Sequence, residues 1–221
     1  MVDFDEAIDR VVGGLERRSR LISPREKEIV AHHEAGHALV AELRPHADRV
    51  HKISIIPRGV AALGYTEQQP TEDRYLMTRA ELLDRIDVLL GGRVAEEIIF
   101  GDVSTGAAND LQRATSMARH MVAQYSMSET FGLASFEESR QTFLNVGGAA
   151  PRDYSEATAQ AIDLEIGEIL KAAHARVRET LIGQRAALEA LAKLLMEKEV
   201  VNAESLRTLL GDQALRAAGH P

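Results

Sequence analysis

Cysteine and tryptophan are absent from this chain of 221 residues, and aromatic residues make up only 4% of it. Without cysteine, the chain can form neither a disulfide nor a zinc site with thiolate ligands, and its composition suits a reducing compartment such as the cytoplasm. With so few aromatic side chains, the core must consist mostly of Leu, Ile, Val and Ala. Any zinc site must therefore use histidine and carboxylate ligands.

Long apolar runs are missing as well. No stretch approaches the roughly 18 apolar residues that predict a membrane-spanning helix, and Asp, Glu and Arg stand where a signal peptide would have its apolar region. The net charge is −8 and the Lys and Arg residues are dispersed, which argues against nucleic acid as a partner. Because 45% of the residues are hydrophobic, an ordinary share for a globular protein, we expect a soluble folded domain.

The motif His33-Glu34-Ala35-Gly36-His37 is the strongest chemical signal that the sequence does contain. On a helix, histidines at i and i+4 share one face, one turn apart, where both can bind a single tetrahedral Zn²⁺ at about 2.0–2.1 Å. Glu34 would lie near the same face, as the general base of a metalloprotease does. The alternative is a chance match within an ordinary amphipathic helix.

Signals for the start of a helix precede this motif. Ser23 can cap the helix, Pro24 suits its first position, and Glu26 completes a capping box. These residues predict a helix that runs to about Leu43. The two histidines would then lie on a helix with a defined start, which is the context that the motif requires.

A β-hairpin is predicted to follow this helix. Residues 50–56 favour a strand, Pro57-Arg58-Gly59 a turn, and residues 61–66 a returning strand. The outer edge could bind an extended peptide by strand addition, or the hairpin could merely cover the core. Further helices are predicted at about 79–90, 93–100, 107–124, 155–181, 184–198 and 203–217, with Gly91-Gly92 separating the first two.

These elements predict a mainly α fold with one small β-hairpin and a C-terminal helical bundle. Residues 1–21 read as a short polar helix in a linker or junction segment, 22–150 as the zinc peptidase core and 151–221 as a C-terminal helical subdomain. Within the core, residues 126–151 are irregular and rich in glycine. We find no chemically reactive motif in the C-terminal subdomain.

A catalytic zinc needs a third protein ligand, and the sequence leaves three candidates open. The metzincin pattern fails because Val40 and Leu43 occupy the positions of its Gly and His. Asp110 follows a glycine-rich loop at the start of a helix, where its short side chain can reach a cleft. Glu96 and Glu97 lie within a predicted helix, where a solvent-facing or supporting role is more usual.

Four motifs occur in the chain in a fixed order: His33-Glu34-Ala35-Gly36-His37, Ile56-Pro57-Arg58-Gly59, Gly91-Gly92-Arg93-Val94-Ala95-Glu96-Glu97 and Ser104-Thr105-Gly106-Ala107-Ala108-Asn109-Asp110-Leu111. In this order and spacing, they resemble the peptidase domain of the FtsH family of membrane-anchored, ATP-dependent zinc proteases. The resemblance extends from Val2-Asp3-Phe4 to about Leu210.

The resemblance implies a zinc endopeptidase. Its ligands would be His33, His37 and Asp110, its general base would be Glu34, and Glu96 would orient a ligand from beside the site. The resemblance also implies a homo-hexameric ring at the cytoplasmic face of the cell membrane. There, a neighbouring ATPase module would feed the peptidase unfolded or membrane proteins. This sequence contains neither a Walker-type phosphate loop nor a membrane segment.

Three positions depart from the family pattern: His32 stands where an aromatic residue is usual, and Ser126 and Asn145 stand where glycine is usual. Two other functions remain as alternatives. One is a non-catalytic oligomerisation domain with a structural zinc, which would need a fourth ligand such as His32 or Glu96. The other is a metal-dependent hydrolase that acts on a substrate other than peptides.

Overall fold

The computed structural model describes residues 23–57, 64–69, 76–136 and 154–217. Residues 1–21, the Arg58-Gly59 turn and Asn145 lie outside this part of the chain. The described part is mainly α, as predicted, with six helices and three strands. In chain order they are α1 (Pro24–Leu43), β1 (Arg49–Ser54), β2 (Tyr65–Gln69), α2 (Arg79–Phe100), α3 (Ala108–Ala123), α4 (Glu156–Gly183), α5 (Arg185–Lys198), β3 (Val200–Asn202) and α6 (Ala203–Ala217).

Helix α1 lies at the centre of the molecule. It begins as predicted, because the Ser23 hydroxyl accepts a hydrogen bond from the Glu26 backbone and the Glu26 carboxylate accepts one from the Ser23 backbone. Every residue from Val30 to Glu42 is buried, as in a helix surrounded by other elements. Helices α2 and α5 and strand β1 pack against it. The His-Glu-Ala-Gly-His motif is therefore part of the core.

The predicted break at Gly91-Gly92 is wrong, because α2 continues through both glycines to Phe100. At this point α2 crosses α1 at Gly36. A Cβ atom at Gly36 would lie 2.4 Å from the Gly91 carbonyl oxygen, and one at Gly91 would lie 2.7 Å from that of Gly36. Glycine is needed here so that two helical backbones can touch. This packing outweighs the low helix propensity of glycine, about 1 kcal/mol per residue.

The hairpin is present, and it belongs to a sheet of three strands in the order β2-β1-β3. All pairings are antiparallel, and Ile53 of β1 lies opposite Thr66 of β2 and Val201 of β3. Strand β3 was not predicted, because it has only three residues between two helices. Within the described residues, β2 is an outer strand of this sheet and pairs with β1 alone.

Helices α4, α5 and α6 are present where the sequence predicted helices. The predicted apolar stripe of α4 is largely buried, including Ile162, Ala173 and Leu181. An ion-paired cluster joins α4 to the rest: Arg176 binds the buried Asp87 of α2 through two hydrogen bonds, and Arg44 lies 2.8 Å from the same carboxylate. Among the described residues, no helix has the length and apolar content needed to cross a membrane.

Candidate metal centre

The structure brings His33 and His37 of α1 together with Asp110 of α3. The two imidazole Nε2 atoms are 3.0 Å apart, and each lies 3.5 Å from Asp110 Oδ2. Asp110 reaches this point because a 3-10 turn, Thr105–Ala107, leads into the first turn of α3. Within the described part of the chain, this trio is the one group of His and acidic side chains spaced to hold a metal ion.

These three distances fit a tetrahedral ion. Two ligand atoms bound at about 2.0–2.1 Å to one tetrahedral Zn²⁺ are separated by about 3.3–3.4 Å, and the measured separations of 3.0 and 3.5 Å bracket this value. Glu97 does not join the trio, because its carboxylate accepts a hydrogen bond from His174 at 2.9 Å.

The outer nitrogens of both histidines are hydrogen-bonded, and these contacts fix the tautomers. His37 Nδ1 lies 2.7 Å from the Val88 carbonyl, which can only accept, and His33 Nδ1 lies 2.6 Å from Glu96 Oε1. With both Nδ1 atoms donating, both Nε2 atoms direct a lone pair at the same point as the Asp110 carboxylate. Three electron-pair donors this close repel one another unless a cation lies among them. The donor set therefore fits a metal ion.

The charges around the two histidines favour a cation as well. In the metal-free chain a proton on Nε2 takes the place of that cation: burial alone would lower the pKa of the His33 imidazole, but its hydrogen bonds with Asp110 and Glu96 outweigh this and raise that pKa to about 9. Burial also opposes ionisation of Asp110, yet the hydrogen bonds from His33 and His37 hold its pKa below the usual range. Glu96, which also accepts from the Ser104 backbone, likewise has a lowered pKa despite its burial.

Glu34 lies in the same cleft as the trio. Only 6% of the residue is exposed, and burial raises the pKa of its carboxyl group. The Thr66 hydroxyl donates a hydrogen bond of 2.8 Å to Glu34 Oε2. A buried carboxylate with a raised pKa is suited to accept and return a proton near neutral pH.

The cleft has a volume of about 1170 Å³, and its walls come from several elements. Residues 64–68, which include most of β2, form one side, and the first turns of α3 form another. Val88, Leu89 and Met117 contribute apolar surface next to the charged residues. The cleft is thus large enough for several residues of an extended polypeptide, with the trio at its floor.

The model of peptidase family M41 matches residues 20–209. The chain belongs to peptidase family M41. Three relatives are ATP-dependent zinc metalloproteases called FtsH: that of Ralstonia pickettii is 62% identical over 95% of the chain, that of Syntrophobacter fumaroxidans 62% over 94%, and FtsH 2 of Bdellovibrio bacteriovorus 54% over 98%. The predicted resemblance and the predicted peptidase class are confirmed.

The chain spans about a third of the length of these relatives, since the matches cover 30%, 32% and 35% of them. Similarity alone therefore does not assign the activity of these whole proteins to this chain. The family match does cover all three residues of the trio in this M41 domain, His33, His37 and Asp110.

Neither candidate for a fourth ligand lies in the metal position of the M41 domain. His32 Nδ1 is 2.9 Å from the Glu28 carbonyl, and the His32 ring stands edge-on to Phe100 at 5.3 Å. Glu96 contacts the outer nitrogen of His33 and the Ser104 backbone N–H. Within the described residues, the cluster thus offers three ligand groups, the number found in catalytic zinc sites.

Sequence reasoning missed three features that shape this site. Gly92 makes room for the His33 ring, because a Cβ atom there would lie 2.5 Å from it. The Val88 carbonyl orients His37, and Thr66 binds Glu34. The pair Gly91-Gly92 was a usable signal for close packing, whereas a backbone carbonyl or a strand threonine has no distinctive sequence pattern.

Proposed function

We propose that this M41 domain is a zinc endopeptidase, in which His33, His37 and Asp110 hold the metal and Glu34 is the general base. The observation that carries the proposal is the convergence of two Nε2 atoms and one Oδ2 atom within 3.5 Å, in the cleft that Glu34 also lines. Zn²⁺, the predicted cofactor, is the metal in the names of the FtsH relatives.

When bound, Zn²⁺ supplies Lewis-acid chemistry: it polarises a carbonyl group and makes water more acidic. The Glu34 carboxylate takes a proton from the attacking water as the water oxygen bonds to the peptide carbon. Glu34 then donates this proton to the leaving nitrogen as the C–N bond breaks. Its burial supports this role, since the raised pKa narrows the free-energy gap between the two protonation states.

Two neighbours keep the histidines in position for metal binding. The Glu96 carboxylate holds the outer nitrogen of His33, and the Val88 carbonyl holds that of His37. These contacts fix both ring orientations before a metal arrives, so less conformational freedom is lost on binding. Because Glu96 carries a charge, it also strengthens His33 as an electron donor.

The outer position of β2 supports polypeptide substrates. This strand lines the cleft and, among the described strands, is neighbour to β1 alone, which is the position at which an extended peptide can add to a sheet. Strand addition gives affinity through main-chain hydrogen bonds and thus accepts many sequences. A hydrolase for small non-peptide substrates would have no use for such an edge.

The wider assembly follows from the relatives rather than from the cleft. Because the relatives are named ATP-dependent, we propose an ATPase module as partner. The homo-hexameric ring and the location at the cytoplasmic face of a membrane stay predictions from the family resemblance. Unfolded or membrane proteins would then be the substrates. The division into a linker (1–21), a peptidase core (22–150) and a C-terminal helical subdomain (151–221) also stays a prediction.

Elemental analysis together with a peptidase assay tests the proposed function. We expect one zinc per chain, hydrolysis of unfolded casein, loss of hydrolysis with a chelator and recovery when Zn²⁺ is returned. Glu97→Gln is a matched control, because it removes a nearby charge outside the trio. A zinc-loaded chain that leaves casein and short peptides intact would instead support a structural metal site.

A further inference from the structure

Thr66 of β2 and Gly64, which lies directly before this strand, face the Glu34 carboxylate. Alternate residues along an extended chain face the same side, and here that side is towards α1. The Thr66 hydroxyl is 2.8 Å from Glu34 Oε2. A Cβ atom at Gly64 would lie 2.9 Å from both Glu34 Oε1 and Glu34 Cγ. The Thr66 side chain therefore contacts the carboxylate, and the absence of a side chain at Gly64 leaves room for it.

We propose that Thr66 is a positioning residue for the general base, an inference that rests on the proposed function of Glu34. Its hydroxyl holds Oε2, so Oε1 is the oxygen left to accept a proton from water. Gly64 supports the same arrangement, because a side chain there would displace Oε1. Thr66 touches neither substrate nor metal in this role, and it acts through Glu34.

One hydroxyl is enough to matter because Glu34 has little else to orient it. Within the described residues, Thr66 is the only residue whose side chain donates a hydrogen bond to the Glu34 carboxylate. The terminal torsion of a glutamate side chain is broad and roughly two-fold, so a hydrogen bond defines the orientation of the carboxylate more closely than packing does. Displacing a reacting group by about 1 Å can cost roughly 100-fold in rate.

The position of Thr66 also links the general base to substrate binding. Thr66 lies opposite Ile53 of β1, and β2 is an outer strand among those described, at the position where the proposed function places the peptide. A peptide that adds to this edge would steady the strand that carries Thr66, and hence Glu34. Because the hydroxyl points to α1, its removal leaves the backbone groups of the edge intact.

Steady-state kinetics on a peptide substrate separate this role from a purely structural one. For Thr66→Val, which keeps the shape and removes the hydroxyl, we expect kcat to fall roughly 10- to 100-fold with KM changed less than about twofold. Thr66→Ser should restore most of kcat, and zinc content should stay at one per chain. Thr208→Val is the matched control, since its hydroxyl bonds the Glu204 carbonyl in α6, on the surface.

The inference is wrong if Thr66→Val keeps the wild-type kcat, if the loss is confined to KM, or if Thr66→Ser is as slow as Thr66→Val. The last result would mean that the methyl group matters and the hydroxyl does not. If the wild-type chain itself shows no zinc-dependent hydrolysis, the proposed function is wrong, and Thr66 then has no general base to position. The two failures are therefore distinct.

A second measurement needs neither zinc nor turnover. In zinc-free protein labelled with ¹³C at glutamate Cδ, the Glu34 signal is identified as the one missing in Glu34→Gln. We expect Thr66→Val to shift this signal and Thr66→Ser to return it, because a hydroxyl donor changes the electron density at the carboxylate carbon. An unshifted signal in Thr66→Val would show that the hydrogen bond does not form, and would overturn the inference.

Discussion

Replacing Gly92 with alanine tests whether His33 is held where a metal needs it. Gly92 lies within α2, where alanine favours the helix by about 1 kcal/mol over glycine. Its added Cβ atom, however, would lie 2.5 Å from His33 Cε1 and Nε2. Ordinary contact between such atoms needs about 3.5 Å, so the ring or the helix must move by about 1 Å.

The His33 ring has little freedom to make this movement. It is buried in α1, and its other nitrogen is bound at 2.6 Å to Glu96, which is 1% exposed. Overpacking of a core costs about 1–3 kcal/mol, so the net change in unfolding free energy of Gly92→Ala should be zero to about 2 kcal/mol destabilising. Loss of ligand orientation should weaken zinc binding by about 10- to 100-fold.

Two measurements check this prediction: a competitive zinc titration against a chromophoric chelator, and urea unfolding of the zinc-free protein. Gly167→Ala is the matched control, because Gly167 also lies within a helix and its Cβ atom would meet nothing within 4 Å. The control should keep wild-type zinc affinity, and its unfolding free energy should rise by about 1 kcal/mol. Wild-type zinc affinity in Gly92→Ala, with a similar gain in stability, would refute the expected collision with His33.

Three other predictions concern the cluster itself. Glu34→Gln should keep one zinc per chain and lose most casein hydrolysis, because the amide cannot take a proton; hydrolysis at the wild-type rate would exclude Glu34 as the base. Asp110→Asn should release zinc, and a retained zinc would show that the Asp110 carboxylate is not needed as a ligand. The zinc-free chain should lose stability as pH rises from 6.5 to about 9, because the raised pKa of folded His33 stabilises the fold below 6.5 and not above 9. The unfolding free energy measured with urea should be higher at pH 6 than at pH 9 by on the order of 3 kcal/mol. Equal unfolding free energies would mean that the pKa of His33 is not raised in the folded chain.

The sequence predicts those parts of the site that depend on local spacing. The capping box at Ser23 and the two histidines four residues apart place the metal pair on α1 without further information. Asp110 is different, because it comes from another helix far along the chain, and spacing alone could not separate it from Glu96 and Glu97. Four motifs shared with FtsH pointed to Asp110, and the structure brings it to the histidines.

The sequence-based predictions failed where tertiary contacts outweighed the local conformational preference of the residues. Gly91-Gly92 has the composition of a helix end, yet the crossing with Gly36 and the His33 ring require glycine inside α2. Ser126 is a related case: it stands where the family resemblance predicts glycine, and its backbone has φ of 53°, a left-handed conformation. Its hydroxyl donates to the Ala134 carbonyl, which helps to hold that turn.

The central position of α1 explains why the metal site and the core cannot be separated. The helix that carries His33 and His37 is buried from Val30 to Glu42, and α2 supplies both the Glu96 contact and the close crossing at Gly91. A metal held by α1 and α3 therefore joins two helices that α2 already positions. Since such an ion binds only the folded chain, its binding free energy adds to stability, about 4 kcal/mol at a free zinc concentration 1,000 times the Kd.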